Sequence, residues 1–178
     1  MLFRSIEALN RYAANRPGDA RALVLRGRAR MALDDPLLAA EDFALAIALH
    51  GEQDVPPELY LSHARALQAA GGIHLAEALH WLEQGLERLG RPVTLELMAL
   101  DLERATGRFE SALTRLDRLA TTAHRPEPWL VRKGEVLEQA GRPAAARRAY
   151  EAAGEALEAL PEPIRRRGGA VQIGRAHV

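Results

Sequence analysis

The chain has 178 residues, 48% of them hydrophobic and 27% charged, with equal numbers of basic and acidic side chains and no cysteine. That is enough apolar material for a sizeable core and too much for a disordered chain. Zero formal charge gives nucleic acid or an anionic membrane no general hold, the missing thiols exclude disulfides and cysteine-ligated metals, and no apolar run approaches the roughly 20 residues that cross a bilayer.

Ala, Leu, Arg and Glu dominate and only 4% of residues are aromatic, a vocabulary that favours helices because these side chains lose little freedom there. In chain order, the spacing predicts a first helix over about Ile6–Asn15, closed by Pro17. Eight more follow as four pairs. First helices are predicted over about Ala20–Leu33, Pro57–Ala70, Val93–Thr106 and Glu127–Ala140. Second helices are predicted over about Leu37–His50, Ile73–Leu89, Phe109–Thr122 and Pro143–Leu160. Apolar residues recur at helical spacing, as in Ala22, Leu25, Ala29 and Leu33. Breakers separate the helices: Asp34-Asp35-Pro36, Gly71-Gly72, Gly90-Arg91-Pro92, Thr106-Gly107 and Gly141-Arg142-Pro143.

The pairs are copies of one another. Ala112 and Leu116 return as Ala146 and Tyr150, 34 residues later, and as Ala78 and Leu82, 34 residues earlier; Ala39 and Phe43 precede those by 39. About five inserted residues fall in the Pro-rich stretch His50–Pro57 and at Gly71-Gly72. First helices carry a small residue at the matching place, Gly27, Ala64 and Gly134, whereas Leu100 departs from the pattern. Small residues let two helix axes approach, and the large one fills the space between successive units.

These residues resemble the tetratricopeptide repeat family in its bacterial form. The resemblance implies an all-α fold, a right-handed solenoid of antiparallel helix pairs with about four repeats and one preceding helix, spanning 6–160 as a single domain. It also implies a scaffold rather than an enzyme, holding a protein or peptide partner in a concave groove lined by first helices. Carried across residue by residue, the inward places are Arg21, Val24, Arg28 and Met31; Glu58, Leu61, Arg65 and Gln68; Leu97, Asp101 and Arg104; and Val131, Glu135 and Glu138. Val24, Leu61, Leu97 and Val131 would form an apolar floor between a basic N-terminal end and an acidic last unit. The family's carboxylate clamp uses Lys and Asn where this chain has Val24 and Arg28, then Leu61 and Arg65, so clamping of an acidic C-terminal tail is not expected. The competing reading is a regulatory or substrate-presenting module of a larger enzyme.

No catalytic, cofactor or metal constellation stands beside the repeat. His74 and His80 are six apart and do not share a helix face; His50 and His124 sit near helix ends; His63 is expected inside a helix interface. Trp129 is expected to be core, and Trp81 either core or an exposed anchor. Residues 173–178 (Ile-Gly-Arg-Ala-His-Val) resemble the translation of a sequencing adapter, and Met1–Ser5 its opposite strand. On that reading 161–172 begins a truncated cap, and the compartment, cytoplasmic or periplasmic, stays open. The expected state is a monomer without membrane insertion or nucleic acid, with end-to-end association of truncated faces as the alternative.

Overall fold

The computed structural model of the chain describes residues 2–51 and 55–160. The cap expected over 161–172, the adapter-like 173–178 and part of the Pro-rich stretch lie outside the described residues. The chain forms two compact units, Met1–Thr106 and Gly107–Val178.

In the first unit, α1 (Leu2–Asn15), α2 (Ala20–Ala32), α3 (Pro36–Leu49), α4 (Pro57–Ala69), α5 (Leu75–Arg88) and α6 (Val93–Ala105) follow one another. Each packs on the next, and α4 also packs on α6. In the second unit α7 (Phe109–Thr122) packs on α8 (Glu127–Gln139), and α8 on α9 (Pro143–Glu158). The described residues contain no strand, as the helical spacing requires. Boundaries match the expected ones closely, with two exceptions: α1 begins at Leu2 rather than Ile6, and the helix expected from Ile73 opens instead with a 3-10 turn, Gly72–His74. Ile73 projects from it, 88% exposed.

Pro36, Pro57 and Pro143 each open a helix, where an N–H would have no partner anyway. The turns that join first helices to second helices share one device. Asp34, Gly71, Gly107 and Gly141 all have positive φ, 64°, 112°, 70° and 71°. At Asp34 and Gly141 such a residue lets the next N–H cap the preceding helix. Asp35 N–H donates to the Arg30 carbonyl at 3.0 Å, and Arg142 N–H to that of Leu137 at 2.8 Å.

The repeated alanines lie where the pattern puts them. Ala39, Ala78 and Ala112 are 0% exposed and Ala146 is 1% exposed. The large residues behave differently from expectation. A Cβ on Gly27 would stand 2.8 Å from Phe43 Cε1, and one on Gly134 2.3 Å from Tyr150 Cε1. Each ring therefore lies against the glycine of its own hairpin rather than only filling space between hairpins. The backbone of the first helix is the floor of the ring's site, so glycine is needed there.

Three buried carboxylates are held by arginines within their units. Asp42 of α3, 1% exposed, receives Arg26 Nη2 at 2.6 Å and Arg30 Nη1 at 2.8 Å. The bond to Asp42, more than any other influence, raises the Arg26 guanidinium above its ordinary value. Arg91 meets Glu96 at 2.9 Å, and Arg125 meets Glu127 at 2.6 Å. A carboxylate this deep is tolerated only with such partners.

Candidate partner-binding site

The first helices of the first unit repeat one exposure pattern. Three residues before the small-residue place stand Val24, Leu61 and Leu97, all half-buried. Val24 and Leu61 pack onto the unit's apolar core. One residue after that place stand Arg28, Arg65 and Asp101, all exposed. Arg21 is exposed as well, and Arg104 is half-buried. Because α4 packs on α6, Leu61 and Arg65 share neighbouring first helices with Leu97, Asp101 and Arg104. Arg21, Val24 and Arg28 stand on α2, and α3 packs on both α2 and α4.

Among the described residues none of Arg21, Arg28, Arg65 and Asp101 forms an ion pair. Their charges are therefore open to an external group, unlike Arg26, Arg30 and Arg91, which serve the fold. In the second unit Val131 and Glu135 occupy the same two places on α8, both half-buried. Burial, a bond to Glu138 and the nearby carboxylates of Glu138 and Glu135 push the Tyr150 hydroxyl up to about 12.

The remaining candidates resolve into structural roles. His63 is buried, with Nδ1 2.9 Å from the Ala40 carbonyl and its ring in an edge-to-face contact with Trp81, centroids 4.6 Å apart. Burial lowers its pKa below the usual 6.5. Trp81 is thus half-buried against a neighbouring helix. Trp129, expected in the core, is instead half-buried, with the Arg132 guanidinium 5.9 Å over its ring. His74 faces Glu77 at 3.6 Å and His80 faces Gln84 at 3.0 Å. Among the described residues no group of three such side chains could hold a metal ion, and no helix is long and apolar enough to cross a membrane.

Comparison of the sequence with protein-family models gave no match, and neither did comparison with curated proteins. Solved structures did match. The MamA protein superposes with a TM-score of 0.68 at 15% identity, covering 88% of this chain and 83% of that one. YrrB, a TPR protein with an unusual peptide-binding site, gives 0.64 at 12% identity, covering 94% and 83%. A thermophilic TPR protein of Thermus thermophilus gives 0.54 at 19% identity, covering 94% and 88%. The chain has the tetratricopeptide-repeat fold. In these terms α2, α4, α6 and α8 are the first helices of four repeats, and α1 precedes them.

As a second helix of this tetratricopeptide chain α3 would be expected to bury its apolar face, yet Leu37, Leu38, Leu45 and Leu49 are 49%, 43%, 54% and 44% exposed. The signal is in the sequence: Pro36–Leu49 is apolar on nearly every side, broken only by Glu41 and Asp42. A helix of that kind has a second apolar face to cover.

Proposed function

We propose that the chain is a protein-interaction scaffold that holds an extended or helical partner segment against the first helices of its N-terminal unit. The observation that carries this is the pairing, on α2, α4 and α6, of a half-buried apolar residue with an exposed charge free of ion pairs. Val24, Leu61 and Leu97 offer shallow apolar contact. Arg21, Arg28 and Arg65 favour an acidic segment on α2 and α4, and Asp101 a basic residue beyond them. Apolar contact supplies affinity, while charge sets orientation and partner choice. On α8, Val131 and Glu135, both half-buried, stand at the same two places and are proposed to contact a partner too. The peptide-binding site described for YrrB, which shares the fold, is in keeping with this reading.

The test is selection of displayed peptides on the full chain, followed by titration against Arg28→Glu/Arg65→Glu. Acidic peptides selected on the parent are expected to lose at least about tenfold in affinity, roughly 1.4 kcal/mol. The melting temperature should not change, because both arginines are exposed. Undiminished binding would reject the groove.

A further inference from the structure

Between α1 and α3 runs a groove of ≈ 410 Å³. Its walls are Ala13 and Ala14 of α1 and Leu45, Ala48 and Leu49 of α3, and Leu23 of α2 lies at its base. Leu23 and Arg26, the α2 residues that reach it, stand roughly opposite Arg21, Val24 and Arg28 at about 100° per residue. The groove therefore opens on a different side of the unit from the first-helix face and does not depend on that face's role.

Two features define what would fit. Of the four exposed leucines of α3, Leu37, Leu38, Leu45 and Leu49, the last three are spaced by seven and four. That spacing is one helical stripe, the seam onto which a second amphipathic helix lays its own apolar stripe. The second feature is charge. Arg26 reaches the groove but is engaged by Asp42 and by Asn10 Oδ1 at 3.1 Å, so it offers no open charge. Arg16, which follows the C-terminal end of α1 and lines the groove, forms no ion pair among the described residues. Its guanidinium sits 5.2 Å over the Tyr12 ring and donates to the Tyr12 hydroxyl at 3.0 Å. That hydroxyl donates in turn to Asp19 at 3.0 Å, so Arg16 is held in place without a direct carboxylate partner among the described residues. Glu41 is exposed toward the other end of the stripe.

We propose that the α1–α3 groove is a second docking surface, which takes an amphipathic helix of a partner protein with acidic residues at the end that meets Arg16. The partner's apolar stripe covers Leu45 and Leu49, and its carboxylates meet Arg16. The apolar contact supplies the affinity, and the acidic end fixes the direction in which the helix lies.

The probe is a fluorescein-labelled peptide of about 15 residues with leucines at alternating spacings of three and four, alanine and glutamine elsewhere, and two glutamates in its last turn. A twin carries glutamine in place of both glutamates. Anisotropy titrations against the full chain should show the glutamate form binding about fivefold or more tightly than its twin, a modest charge-pair preference. Leu45→Asp/Leu49→Asp should lower binding of both by at least about tenfold. These two side chains are exposed, and an unchanged melting curve confirms that the fold is intact. Arg16→Ala should erase the difference between the two peptides without abolishing binding, and Arg28→Glu/Arg65→Glu should leave both affinities as they were. The proposal is overturned if neither peptide binds, if the double leucine variant binds like the parent, if the glutamate preference survives Arg16→Ala, or if binding is lost in the first-helix variant instead.

Discussion

Gly134 and Gly154 are both helical glycines of the second unit, yet their surroundings give them opposite roles. A methyl group at Gly134 would overlap the Tyr150 ring, with Cε1 at 2.3 Å and Cζ at 2.5 Å, whereas one at Gly154 would meet nothing within 4 Å. Gly134→Ala should therefore destabilise by about 1–3 kcal/mol through overpacking. Gly154→Ala should stabilise by about 0.5–1 kcal/mol through helix propensity. Thermal unfolding of the two variants separates these outcomes, and equal shifts would contradict the packing described. The same reasoning shows what was legible at this scale. Repeat spacing marks Gly27 and Gly134 as small by necessity. It does not say that the necessity comes from the ring of Phe43 or Tyr150 lying on the glycine's own backbone, because that depends on how closely two helix axes approach.

The hairpin turn is the recurring element, and its chemistry is uneven. Three of the four left-handed positions carry glycine, but the first carries Asp34, at φ 64°. Asp34 is exposed and makes no side-chain hydrogen bond among the described residues, so its β-carbon strains the turn without return. Asp34→Gly should raise stability by about 0.5–1 kcal/mol, read as a higher melting temperature with unchanged helicity. A lower one would mean that the aspartate stabilises the turn in some other way. Helix limits were legible to within a few residues, since Pro and Gly punctuate them. One exception, the 3-10 turn at Gly72–His74, falls where insertion relative to the 34-residue period was expected. The α3 surface was not read, because repeat alignment asks which residues match between units, whereas the exposed leucines are peculiar to this helix.

At the scale of the whole molecule, pH reports on packing through His63. This ring lies on α4, with Nδ1 2.9 Å from the Ala40 carbonyl of α3 and its ring packed against Trp81 of α5. Its other nitrogen, Nε2, is buried and has no hydrogen-bond partner among the described residues. Burial lowers its pKa below 6.5, opposed by the Ala40 carbonyl and the Glu77 carboxylate. The unfolded chain thus takes up the proton first as pH falls. The contribution of neutral His63 to stability is complete above about pH 6.5 and is lost progressively below it. The melting temperature should fall between pH 7.5 and pH 5.5 (about one unit either side of the ordinary histidine value), and His63→Leu should flatten that part of the profile. An unaltered profile in the variant would place the titrating group elsewhere.

The sequence alone determined the class of this protein: helical, built of paired helices at a 34-residue interval, with four alanines facing inward. Those features are local or periodic, and periodicity survives in one dimension. Only the tertiary structure decided which arginines are consumed by the fold and which remain open. Arg26 and Arg28 are two residues apart on α2, yet one is bound to buried Asp42 and the other is exposed. The difference arises because a helix turns about 100° per residue, and the carboxylate that claims Arg26 arrives from another helix.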